Sequence, residues 1–315
     1  MCLVAFAINA SARWPLVIAS NRDEYLERPS LPLSRWQSAA GKAIVSGRDA
    51  RGGGTWFGSS PTGRVAFLTN VREKPEAAMP TAPRSRGELA MRWLEGSMDV
   101  SQYMAQTDSA SYRGFNLVLG DWQSNSWTWL SNRAFDARGA PLRPPYHTGW
   151  RSRTLPAGVY GLSNAGLDTP WPKTIALKKA LAAALSGAVN SPSAVALEAP
   201  LWGALASRAL ARDEELPDTG MTPAFERPLS SAFVNAPERA YGTVSSTVLL
   251  VEPEQTAQGE SRWAVQIIEK TPTRSATTAA PQEALGDCSV VRQAVQWAAP
   301  PRQMPGATSA PDKRG

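Results

Sequence analysis

The chain opens on two short apolar runs, CLVAFAIN and PLVIAS, separated by ASARW. This spacing restricts its folding more than any other feature, because two such runs with a polar break between them form a β-hairpin that enters a sheet. The polar cluster NRDEY follows where the second strand is expected to end. KAIVSGRD, GTWFGSS and RVAFLTNV continue as three further strands with glycine-rich turns between them. SRGELAMRWLEG changes to a helical period, with Leu89, Trp93 and Leu94 on one side and Gly96 as the stop. Strands resume at GFNLVLGD, SWTWLSN and GVYGLSN. Two helices follow in TPWPKTIALKKALAAALSG, where Pro172 suits the first turn, and in SPSAVALEAPLWGALASRAL. LSSAFVN, YGTVSSTVLLVE and RWAVQIIE are the last expected strands of the ordered region. Sets of consecutive strands with helices inserted between them indicate an α+β domain with largely antiparallel sheets.

From Thr271 onward Pro, Ala, Thr and Ser dominate, so residues 271–315 are expected to be a disordered tail with one short helix around CSVVRQAVQWA, and residues 1–270 the folded domain. The chain has 315 residues, 43% of them hydrophobic, enough to bury a sizeable core. Its net charge is +6, yet acidic and basic residues alternate without a block of like charge. That distribution argues against nucleic acid as a partner and suits a small anionic ligand. Cys2 and Cys288 are the two cysteines, too few for a disulfide framework or a zinc site, which fits a reducing compartment. No basic segment precedes the first apolar run, which Asn9 and Arg13 interrupt early, and no stretch approaches the ~20 apolar residues of a membrane helix. A cytoplasmic location without an integral membrane segment is the expectation.

Cys2 would become the N-terminus on removal of Met1 and would then carry a nucleophilic sulfur and a free α-amine on one residue. The alternative is a buried structural thiol, since free Cys packs as a small hydrophobe. In the hairpin the cluster Asn21, Arg22, Asp23 and Glu24 lies close to Cys2. Alternation places Asn21 and Asp23 on one face and Arg22 and Glu24 on the other, so that one pair can face a pocket. Asn70 and Asn164 each end a strand, where an amide nitrogen can donate to an oxyanion or cap a turn. The run Gly52 to Gly54 before Trp56 lacks the Lys and Ser/Thr of a phosphate loop and marks a turn beside an aromatic wall. His147, the sole histidine, is either a loop residue or a haem ligand, and no cluster has metal-ligand spacing. Cys288 is set aside because a mobile tail cannot preorganise a thiolate. Twelve tryptophans serve core packing, and some can line a flat apolar cavity.

The segments MCLVAFAIN, ASNRDE, GGGTWFG, FLTNVRE, GFNLVLGD, VYGLSNAGLDTPWPK, LPDTG and YGTVSSTVLLVE, in this order, resemble the NRDE family, also called the transport and Golgi organisation two family, over about residues 1 to 270. That family is assigned to the N-terminal nucleophile hydrolase superfamily. The resemblance therefore implies a four-layer αββα sandwich, two antiparallel sheets between helical layers, with Cys2 in the nucleophile position. By the motifs of the penicillin V acylases and bile salt hydrolases, Asp23, Asn70 and Asn164 join Cys2 as catalytic candidates. Ser20 stands where those enzymes have an Arg, and Val244 where NRDE sequences usually have one. The lost guanidinium would have oriented an anion or lowered the thiol pKa. Family members are implicated in moving haem and in binding acyl-CoA. The resemblance thus implies a protein that binds and traffics haem or a similar anionic amphiphile, with Asn21, Arg22, Glu24 and Trp56 as ligand-binding residues and no required cofactor. The alternative is a Cys2-dependent hydrolase of an amide or thioester.

Overall fold

The first hairpin is apolar on both faces because both faces are covered. In the computed structural model, β1 (Cys2–Ile8) and β2 (Leu16–Tyr25) pair antiparallel with Cys2 opposite Arg22 and Ile8 opposite Leu16. The structure describes residues 2–73, 84–136, 139, 141–142, 147–188, 193–255, 261–273 and 288–298. Val4, Phe6, Ile8, Leu16 and Ile18 face one buried cluster, and Leu3, Ala5, Ala7, Val17 and Ala19 face another. A strand buried on both sides becomes a continuous apolar run, as these two are.

The remaining strands are β3 (Ser30–Gln37), β4 (Ala43–Asp49), β5 (Phe57–Ser59), β6 (Arg64–Asn70), β7 (Phe115–Asp121), β8 (Ser126–Arg133), β9 (His147–Thr154), β10 (Gly158–Leu162), β11 (Asn235–Ala236), β12 (Tyr241–Gln255), β13 (Ser261–Pro272) and β14 (Cys288–Ala298). Among the described residues they form two seven-stranded antiparallel sheets. One runs in the order β10, β1, β2, β12, β13, β14, with β11 on β12, and the other runs β3 to β9 in sequence order. The helices are α1 (Gly87–Glu95), α2 (Val100–Ala105), α3 (Pro172–Gly187), α4 (Ala194–Leu205) and the short α5 (Pro223–Glu226).

Phe6 of the first sheet meets Phe67 of the second edge-on at 5.0 Å, so the larger core lies between the sheets. Leu177, Leu181, Leu197 and Leu201 of α3 and α4 cover the outer face of the first sheet. On the second sheet α1 buries Leu89, Trp93 and Leu94, with the Trp93 indole donating to the Gly120 carbonyl at 3.0 Å, and ends at Gly96. The result is the expected α+β sandwich of helices, sheet, sheet and helices. Gly54 lets α1 come close: a Cβ there would lie 2.4 Å from the carbonyl carbon of Gly87, the first residue of the helix.

Besides LSSAFVN, of which only Asn235 pairs, in the two-residue β11, three differences separate the structure from the sequence reading. β2 does not stop before NRDEY but runs through it to Tyr25, because β1 and β12 pair with it on both sides. SLPLSRWQ and HTGWRSRT form the edge strands β3 and β9, so His147 opens a strand. Pro32 is tolerated because β3 is an edge strand with a register shift between Leu31 and Ser34. The third difference corrects the tail: residues 288–298 are neither disordered nor helical but form β14, paired with β13 from Cys288 opposite Pro272 to Ala298 opposite Arg262. Val295 and Trp297 are buried while Ala294, Gln296 and Ala298 are exposed, an alternation of period two that a helix cannot use. The rest of the expected tail, 274–287 and 299–315, lies outside the described residues.

Candidate functional site

The pairing of Cys2 with Arg22 brings the start of β1 to the polar end of β2. There the chain forms a cleft of about 570 Å³ whose lining includes Cys2, Arg22, Asp23, Glu24, Trp56 and Asn70. Six of the eight residues singled out from sequence thus meet in one cavity. Arg22 is buried, with its guanidinium stacked 4.1 Å above the Trp56 ring and one nitrogen donating to the Ser30 hydroxyl at 2.9 Å. Glu24 approaches Arg22 at 3.7 Å and Arg28 at 3.8 Å. Trp56 is held flat by Gly47, where any Cβ would fall 2.6 Å from the indole.

Asn21 and Asn164 are outside the cleft. The Asn21 amide donates to the carbonyls of Leu205 and Ala232, both at 2.8 Å, and accepts from Ser246 at 2.6 Å. Both of its amide hydrogens are spent tying β2 to the segments that end at Leu205 and Ala232, and it does not line the cleft. Asn164 donates to the Asn70 carbonyl at 2.8 Å and accepts from Arg72 at 3.3 Å. It braces the strand end that carries Asn70, and of the two amides Asn70 alone is in position to meet a bound molecule.

Asp23 takes the opposite face of β2 from Arg22, as alternation requires, and accepts from the Thr243 hydroxyl at 2.7 Å. Burial raises its pKa, and the nearby Lys173 ammonium is the strongest charge acting the other way. Burial also pushes the Cys2 thiol up; Asp23 adds to the rise and Arg22 opposes it. Val244 occupies the register break of β12 against β2, between Thr243 and Ser245, so no guanidinium projects from that bulge.

Positive charge reaches the cleft from elsewhere. Arg84 and Arg86 precede α1, and Arg113 precedes β7; all three line the cavity, as do Arg28 and Arg51. Burial lowers the Arg86 pKa to about 10, and its guanidinium donates to the Gly114 carbonyl at 3.0 Å. Arg28 pairs with Asp49 at 2.6 Å. Sequence reasoning passed over Arg86, Lys173, Arg72 and Glu226. The available signal was modest: Arg72 and Lys173 lie inside FLTNVRE and TPWPK, charged residues directly beside apolar strand or helix positions. Among the described residues there is no group of three or more His, Cys, Asp or Glu that could hold a metal ion, and no helix long and apolar enough to cross a membrane.

Residues 1–271 match the family model described as Transport and Golgi organisation 2. The bovine Transport and Golgi organization protein 2 homolog is 30% identical over 270 residues, covering 81% of this chain and 90% of that protein. The mouse Transport and Golgi organization 2 homolog is 29% identical over 266 residues, covering 80% and 89%. Among solved structures, a Caenorhabditis elegans N-acylethanolamine-hydrolyzing acid amidase ortholog superposes with a TM-score of 0.45 at 11% identity, over 78% of this chain and 92% of that one.

Proposed function

The chain belongs to the Transport and Golgi organisation 2 family, and on that premise we propose that its Cys2 cleft binds a small anionic amphiphile of the haem or acyl-CoA kind. One observation carries this reading: six arginines line the cleft against three carboxylates, Asp23, Glu24 and Asp49, which leaves an excess of positive charge for an anionic group. Trp56, Leu68 and Tyr241 supply apolar surface in the same cavity, and its volume of about 570 Å³ suits a mid-sized ligand. An anion would be held by charge-assisted bonds from arginines not already committed to a carboxylate, Arg86 foremost, while a flat or greasy portion lies against Trp56.

Titrations of haem and of an acyl-CoA against the protein, followed by ligand absorbance and tryptophan fluorescence, test this reading. Saturable binding is expected to weaken about tenfold or more in Arg86→Gln, the loss of one charge-assisted hydrogen bond. No saturable binding of either ligand, or binding indifferent to Arg86→Gln, sinks the proposal.

A second reading is favoured by the convergence of Cys2, Asp23 and Asn70 on one cavity. In it the Cys2 sulfur adds to an amide or thioester carbonyl and the Asn70 amide steadies the oxyanion. The α-amine takes the thiol proton and passes it to the leaving group as that departs, and water then cleaves the acyl-enzyme thioester, restoring the thiol and releasing the acid. This requires removal of Met1, which the intact mass reports. Turnover of N-acyl amides or acyl thioesters is expected to vanish in Cys2→Ser; turnover that survives the change assigns the chemistry elsewhere.

A further inference from the structure

Eight large apolar side chains are exposed among the described residues, and three of them, Tyr25, Leu26 and Leu31, fall within one short stretch of sequence. They belong to the connection between β2 and β3, which passes from one sheet to the other at the end of the sandwich that holds the Cys2 cleft. Single apolar residues scattered over a surface need no explanation, but a group confined to one turn does. The turn is anchored on both sides. Leu26 donates its backbone N–H to the Ala240 carbonyl at 2.7 Å, Arg28 to the Tyr25 carbonyl at 3.0 Å, and the Pro29 carbonyl accepts from Ala50 at 3.0 Å. The Tyr25 ring stands edge-on to Tyr241 at 5.3 Å and is still 61% exposed. A fixed backbone therefore holds these side chains in solvent.

Tyr25 and Tyr241 both line the cleft, so the apolar turn is continuous with its mouth. The charge there is complementary to an anionic surface. Four carboxylates, Glu24, Glu27, Asp49 and Glu88, stand against the six arginines of the cleft, while Asp23 is buried on the opposite face of β2. Arg28 is matched by Asp49 and Arg84 by Glu88, whereas Arg51 and Arg113 are exposed on the cleft wall.

We propose that this turn docks the protein on an anionic phospholipid surface, with Tyr25, Leu26 and Leu31 dipping into the headgroup layer and the arginines of the cleft mouth facing the lipid phosphates. Tyrosine suits that layer, having an apolar ring and a polar tip. A stable protein partner would need roughly 800 Å² of matched surface on this side, which a single turn does not present. Shallow insertion of a few apolar side chains with basic groups beside them needs no such area. The inference rests on the reading of the cleft as a site for an anionic amphiphile: such a ligand partitions into bilayers, and a mouth laid on the membrane receives it without a passage through water.

The test is co-sedimentation of the full chain, without haem or acyl-CoA, with phosphatidylcholine vesicles that contain or lack about 20% phosphatidylserine. Binding is expected on the anionic vesicles, with a marked loss on neutral ones and at high salt. Leu26→Ser combined with Leu31→Ser, both at exposed positions outside the cleft lining, should weaken it about tenfold. Glu27→Lys should strengthen it about tenfold or more, a gain that a folding defect cannot produce. No binding to anionic vesicles overturns the proposal, as does equal binding to neutral ones or binding that both variants leave unchanged. Self-association of the wild type that the double leucine variant abolishes would assign the turn to a second copy of the chain and also overturns it. The double leucine variant is expected to match wild type in the haem and acyl-CoA titrations in free solution. Failure of those titrations with the vesicle results intact sinks the ligand reading and leaves the docking surface standing.

Discussion

Replacing Trp297 by alanine is expected to lower the stability of the fold by about 3–5 kcal/mol, the cost of emptying a fully buried indole site. The residue sits near the end of β14, opposite Trp263 of β13, and is completely buried. Its ring lies 5.5 Å from that of Trp122, in the turn after β7, and Trp122 also meets Trp263 at 5.1 Å, so Trp122 packs on both indoles of the β13–β14 pair. The Trp297 nitrogen donates to the Ser60 carbonyl at 3.0 Å, across to the turn between β5 and β6. The strand therefore closes the gap between the sheets at their edge, in addition to extending one of them. Urea unfolding followed by far-UV circular dichroism checks the prediction, with Trp297→Phe expected to recover part of the loss. An unshifted midpoint in Trp297→Ala would mean that residues 288–298 do not belong to the folded domain.

That strand also marks where sequence patterning stops being informative. CSVVRQAVQWA alternates with period two, but its buried face carries only Val295 and Trp297 as fully buried residues and its flanks are rich in Pro, Ala and Thr. Composition of that kind outweighs a weak alternation when no partner strand is visible. The opposite holds for β1 and β2, whose uninterrupted apolar runs admit nothing but a strand covered on both faces.

In the site, alternation assigned Arg22 and Glu24 to one face and Asn21 and Asp23 to the other, and hydrogen bonding agrees. What alternation cannot supply is the partner beyond the strand. The Asn21 amide turned to two backbone carbonyls and the Asn164 amide to a third, while the Asn70 side chain was left at the cavity wall. In sequence these three amides are equivalent. Lys173 and Glu226 were invisible for the same reason: each is a single charge whose partner is remote in sequence, the Leu229 carbonyl for Lys173 and the Arg72 guanidinium for Glu226.

The largest effect on the site itself is expected at the Arg72–Glu226 pair. Glu226→Leu leaves a buried guanidinium without its carboxylate and should destabilise the protein by about 3–5 kcal/mol, whereas Arg72→Met combined with Glu226→Leu should regain most of that loss. The asymmetry follows from desolvation, since two well-packed apolar side chains carry no uncompensated charge. Stability and site geometry are expected to part company in the double variant. The Arg72 backbone donates to the Asn164 carbonyl at 2.7 Å and its guanidinium donates to the Asn164 side chain at 3.3 Å, while the Asn164 amide holds the Asn70 carbonyl at 2.8 Å. Loss of the guanidinium removes one side of this brace and frees the Asn164 side chain to turn. A double variant with recovered stability should therefore bind haem or acyl-CoA more weakly than wild type, measured in the same absorbance and fluorescence titrations. Undiminished binding would mean that Asn70 keeps its place without the buried pair, and that the ions serve folding specificity alone.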